Sequence, residues 1–126
     1  MAILNPRDIL HAVAKDIARN YCSEMLTTEY VLIEVGNFLA RSGDRKVFVD
    51  LVHQLKIDER STLVPAASVW FDRGLDLYSR RLDKNWSLTD CISFAVMREH
   101  SLTEALTADH HFEQAGYKIL LKPEVV

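Results

Sequence analysis

Four short apolar runs, set apart by stretches with helical periodicity, constrain this chain more than any other feature. They are Glu24-Met25-Leu26-Thr27, Ser61-Thr62-Leu63-Val64, Glu104-Ala105-Leu106-Thr107 and Lys118-Ile119-Leu120-Leu121. Pro65 stops the second and Pro123 the last, because proline cannot donate to a sheet ladder. Ahead of the first run, Ile9, Leu10, Val13, Ala14, Ile17, Ala18 and Tyr21 recur at helical spacing after Asn5-Pro6. Thr27 or Thr28 then caps a helix that ends near Ser42-Gly43, and Asp44 caps another with the stripe Val47, Phe48, Leu51, Val52 and Leu55. A longer helix carries Val69, Trp70, Leu75, Leu77, Tyr78 and Leu82, with Gly74 as its weak point. The last long helix opens after Ser87 and ends around His100-Ser101. Helices alternating with short apolar strands predict an α/β domain with a mainly parallel sheet flanked by helices.

That pattern fills the chain, and 126 residues with 48% apolar content make one domain, 1–126, with its own core. The net charge of −3 does not single out a nucleic-acid binder. Two basic groups, Arg41, Arg45 and Lys46, and Arg73, Arg80, Arg81 and Lys84, are candidates for a phosphate-holding rim. Each also fits an ordinary solvated helix face. Cys22 and Cys91 lie far apart in apolar surroundings and read as packed thiols in a reducing compartment. With no signal-peptide pattern and no apolar run of about 18 residues, the expectation is a cytoplasmic protein without a membrane span.

Three acids stand where acids are costly. Asp90 opens the nearly apolar run Cys91-Ile92-Ser93-Phe94-Ala95-Val96-Met97, and Asp109 follows Ala105-Leu106-Thr107. Each has a structural explanation: Ser87-Leu88-Thr89-Asp90 fits a capping box, and Asp109 can cap a turn that begins at His110. Glu34 has none so simple. Helical spacing sets it with Tyr30, Val31 and Phe38, where it interrupts an apolar stripe without a basic partner on that face. Buried carboxylates persist when paired or when they bind metal, and oxygen donors suit Mg²⁺ or Mn²⁺. His53 has no matching histidine one turn away and reads as a surface or boundary residue rather than a ligand. Successive side chains point apart in regular structure, so His110 and His111 do not easily serve one ion.

The motifs Thr28-x-Tyr30-Val31-Leu32-x-Glu34-Val35-x-Asn37, Leu88-Thr89-Asp90-Cys91-x-Ser93-Phe94 and Thr107-x-Asp109-x-His111-Phe112-x-x-Ala115-Gly116 span nearly the whole chain. In order and spacing they resemble the PIN-domain family, and within it the VapC-like toxin ribonucleases of bacterial toxin-antitoxin pairs. The resemblance implies a three-layer PIN-like fold and maps the family's acidic site onto Glu34, Asp90 and Asp109, with Asp90 touching the metal most directly. Thr107 matches the small hydroxyl residue beside the last acid, and the resemblance implies that Thr107 and Asn37 support the metal ligands from behind, while His111-Phe112, a histidine beside an aromatic as is common in the family, serves packing and turn formation. The implied activity is Mg²⁺- or Mn²⁺-dependent endonucleolytic cleavage of RNA. The implied partners are the RNA substrate, a cognate antitoxin protein and a second copy in a homodimer.

The family pattern begins with a strand ending in Asp-Thr-Ser, followed by a segment like Ile-Ala-Leu-Leu-Asn-Pro-x-Asp. Met1-Ala2-Ile3-Leu4-Asn5-Pro6-Arg7-Asp8 aligns with the second of these, so the expectation is that the first strand and its Asp are missing. That departure supports a rival function: a catalytically impaired relative that binds antitoxin or RNA without cleaving.

Overall fold

The computed structural model describes residues 2–4, 24–107 and 109–120. The expected helix over Ile9–Tyr21, and Cys22 with it, lies outside these residues. In chain order the elements are β1 (Ala2–Leu4), β2 (Met25–Thr28), α1 (Glu29–Arg41), α2 (Arg45–Ile57), β3 (Ser61–Val64), α3 (Ser68–Arg80), α4 (Leu88–Glu99), β4 (Glu104–Leu106), α5 (His110–Gln114) and β5 (Lys118–Ile119). The strands form one sheet in the order β3-β2-β1-β4-β5, and every pairing is parallel.

The middle of that sheet corrects one expectation. Ala2–Leu4 supplies a central strand, with Ala2 opposite both Met25 and Glu104 and Ile3 opposite Leu26 and Ala105. Three apolar residues before Asn5-Pro6 suffice, because a strand between two neighbours is held by ladder bonds along both sides. Ala2–Leu4, from the segment aligned with the family's Asn-Pro stretch, therefore takes the central strand position.

Alternation along β2 and β3 creates the two faces. Met25 and Leu63 pack with Val31, Leu32, Val35, Leu39, Leu51 and Leu55 under α1 and α2. Leu26 and Val64 join Trp86, Phe94, Val96, Met97, Ala105, Phe112 and Ile119 on the other side, around α4. Burial of each large side chain in these clusters contributes roughly 1.5–3 kcal/mol. Thr28 starts α1 by accepting from the Val31 amide at 3.2 Å, and Gly43, at φ +82°, turns the chain beyond its end. Asp44 precedes α2 as expected but its side chain makes no capping bond.

The third helix departs from its sequence reading. Of the expected stripe, Val69, Leu75, Tyr78 and Leu82 are exposed, whereas Gly74 is buried. Gly74 is a contact point, since a Cβ there would lie 2.9 Å from the Ile92 Cα and 3.0 Å from its amide nitrogen. The missing side chain lets α3 approach the backbone of α4. Among the described residues no helix is long and apolar enough to cross a membrane.

Candidate functional site

In the order β3-β2-β1-β4-β5 the chain builds outward from β1 on one side and then resumes on the other with β4. Crevices at such a switch point, outside the carboxyl ends of the strands, are where open parallel sheets bind ligands. Two of the sequence-singled acids are delivered there. Asp109 follows β4 by three residues, and Asp90 lies in the first turn of α4.

Each acid is fixed by the cap that its sequence allows. Asp90 completes a capping box: its amide donates to the Ser87 hydroxyl at 3.0 Å, and its Oδ2 accepts from the Ser87 amide at 3.2 Å. Asp109 is the N-cap of α5, where its Oδ1 accepts from the His111 amide at 2.9 Å. The Asp109 amide in turn donates to Oγ1 of the fully buried Thr107 at 3.0 Å. Capping and convergence are therefore combined, not alternatives, because a cap aims its carboxylate at the open end of its helix. The aromatic cluster below holds the two helix starts together. Phe94 meets Trp86 and Phe112 edge to face at 5.1 and 4.9 Å, and the Trp86 indole donates to Gln114 Oε1 at 3.2 Å.

The acids meet at a residue that the sequence reading assigned to packing. His111 Nδ1 lies 3.3 Å from Asp90 Oδ2 and 3.5 Å from Asp109 Oδ1. It sits between two largely buried carboxylates, whose side chains are 11% and 6% exposed. Its sequence signal was position, two residues after an acid that opens a helix.

Glu34 corrects another expectation. It is exposed, because α1 buries Val31, Leu32, Val35 and Leu39 and leaves Glu34 and Phe38 outside that face. The cost of burying a charge therefore does not explain it. It is held instead by Thr89, whose hydroxyl donates to Glu34 Oε1 at 2.6 Å, which ties this third carboxylate to the first turn of α4. Asn37 is not brought to this cluster; it is exposed and lines the groove between α1 and α2 with Phe48 and Lys56.

The donor set fits a divalent cation. Among the described residues, Asp109, His110 and His111 are the group whose donor atoms lie within 4.8 Å of one another, and Asp90 borders it at His111; Asp90, Asp109 and Glu34 are oxygen donors of the kind that suits a divalent cation. Next to Asp90, burial first and the Asp90 charge second push the Cys91 thiol up to about 11, which keeps it protonated and out of this chemistry. Of the candidate basic rim, Arg73 pairs with Glu99, Arg80 with Asp76, and Arg81 and Lys84 with Asp83. That second group is thus largely neutralised on the surface.

Comparison with solved structures agrees with this architecture. The chain is similar to the VapC20 toxin of Mycobacterium tuberculosis, described as cleaving the sarcin-ricin loop, with a TM-score of 0.78, 20% identity, and coverage of 93% of this chain and 96% of that one. It is similar to a toxin-antitoxin complex from Klebsiella pneumoniae, with a TM-score of 0.69, 12% identity and coverage of 99% and 100%. FitAcB from Neisseria gonorrhoeae gives a TM-score of 0.62 at 16% identity, covering 96% and 97%. A sequence comparison with curated proteins gave no match. The family profile described as PIN domain matches residues 1–117, and this chain belongs to the PIN-domain family.

Proposed function

We propose that this protein is a divalent-metal-dependent endoribonuclease of the toxin type, acting in the cytoplasm under the control of an antitoxin protein. The observation that carries the reading is the meeting of Asp90 and Asp109 at His111, at the carboxyl end of β4 beside the switch point. Asp90 and Asp109, with Glu34 held by Thr89, would hold Mg²⁺ or Mn²⁺. Such a cation polarises a phosphodiester and makes water a better nucleophile. The chain's own contribution is placement: two helix caps and one hydroxyl fix three carboxylates before any ligand arrives, so little reorganisation accompanies binding. The likeness to VapC20 and to a toxin-antitoxin complex supports an RNA substrate and an antitoxin partner. A homodimer is part of the same proposal.

One observation favours the rival reading of a non-cleaving relative that binds antitoxin or RNA: among the described residues the close donor group joins Asp109 to two histidines rather than to two further acids, and Glu34 is exposed. A single experiment separates the two. The purified protein and its Asp109→Asn variant are incubated with a mixed RNA pool, with Mn²⁺ or with chelator. Cleavage that needs both the metal and Asp109 supports the nuclease. RNA left intact by the wild-type protein with Mn²⁺ supports the rival.

A further inference from the structure

We propose that Asp109, His110 and His111 form a mixed nitrogen and oxygen site that takes Zn²⁺ in preference to Mg²⁺, so that Zn²⁺ competes for the nuclease centre and switches it off. The inference builds on the nuclease reading and is tested apart from it. Asp109 Oδ1 lies 3.8 Å from His110 Nδ1 and 3.5 Å from His111 Nδ1. Donors bound to one Zn²⁺ at about 2.0–2.1 Å in a tetrahedral arrangement stand roughly 3.4 Å apart, so these edges match one ion within a small rotation of the rings.

The two imidazoles come from adjacent residues, and their side chains do leave the backbone in different directions. They converge because both rings stand at the start of a short helix, with centroids 4.5 Å apart and planes tilted by 53°. His110 is 70% exposed and open to an arriving ion, whereas His111 is 17% exposed and fixed between the acids. Asp90 Oδ2, 3.3 Å from His111 Nδ1, borders the site with a second carboxylate.

Donor chemistry sets the preference. Mg²⁺ demands octahedral oxygen ligands and keeps its waters, whereas imidazole suits Zn²⁺, which also stands far above Mn²⁺ in general affinity for such sites. An ion bound here engages Asp109, an acid that the nuclease needs for its own cation.

The test is isothermal titration of tag-free protein with ZnCl₂ and MgCl₂, for wild type, His110→Ala and His111→Ala. The expected result is that Zn²⁺ binds wild type at least about tenfold more tightly than Mg²⁺. Each histidine variant should lose about tenfold or more of the Zn²⁺ affinity. His110→Ala should keep its Mg²⁺ affinity, and because His110 is exposed that variant carries little risk of misfolding. Zn²⁺ binding equal to wild type in both variants overturns the proposal. Mn²⁺-dependent RNA cleavage separates the two claims. If it persists while both variants bind Zn²⁺ as wild type does, the Zn²⁺ site falls and the nuclease stands. If Zn²⁺ binding needs both histidines and no metal supports cleavage, the Zn²⁺ site stands and the nuclease falls.

Discussion

Thr89 and Glu34, 55 residues apart in sequence, are joined by a 2.6 Å hydrogen bond that ties α1 to the first turn of α4. A glutamate on an exposed helix face otherwise samples many rotamers, and fixing such a side chain costs roughly 1.5–2 kcal/mol of entropy. The hydroxyl supplies that ordering in advance, one residue from Asp90. Thr89→Val keeps the shape and removes the donor. The expected outcome is a roughly tenfold loss of Mn²⁺ affinity, the range typical when the partner of a ligand is removed, with Thr89→Ser near wild type. Because Glu34 remains in water, the metal-free melting temperature should change little. Titration with Mn²⁺ checks this, and unchanged affinity in Thr89→Val contradicts it.

Gly74 has the opposite character, since its role is to be absent as a side chain. A Cβ at this position would collide with Ile92 Cγ1 and would meet the Ile92 backbone at 2.9 and 3.0 Å. Helix propensity alone favours Ala over Gly by about 1 kcal/mol. Overpacking at a backbone contact costs typically 1–3 kcal/mol and should win. Gly74→Ala is therefore expected to lower stability in urea unfolding. Adding Ile92→Ala should not restore it, because the clash with the backbone remains.

These two positions show what the sequence could and could not reveal. Strand and helix positions were legible because β2, β3 and α1 are written in local terms: β-branched runs ended by Pro65, a threonine cap and Gly43. The pairing of Asp90 with Asp109 was legible only through motif order and family resemblance, since nothing local says that two caps face each other. His111 was missed because its role depends on two acids, one of them 21 residues away in sequence. Glu34 was misjudged for a related reason. Periodicity placed it near an apolar stripe, but the packed face of α1 runs through Val31, Leu32, Val35 and Leu39 and stops short of it. The short central strand went unread because three residues carry almost no periodic signal.

Cys91 gives a pH-dependent prediction. Its thiol is pushed up to about 11 from an ordinary value of 9.0, by burial first and by the Asp90 charge second. A raised folded-state value favours the protonated thiol in the native state. The corresponding stability is fully present below pH 9 and is lost as pH rises through about 11, where the unfolded chain ionises first. Native protein at pH 8 should resist iodoacetamide at Cys91, and protein in urea should not. Peptide mass mapping reads Cys91 separately from Cys22. Rapid labelling of native Cys91 contradicts the account.

Asp90 carries the central claim that the carboxylates outside β4 form a metal centre. Asp90→Asn preserves the oxygen that accepts from the Ser87 amide and removes the charge, so the metal-free fold should melt at the wild-type temperature or slightly above. A cation that binds only the folded state raises the melting temperature. The decisive measurement is the melting temperature of wild type and Asp90→Asn with and without millimolar Mn²⁺. The account predicts a Mn²⁺-dependent rise in wild type that is lost in Asp90→Asn; an equal rise in both proteins would contradict it.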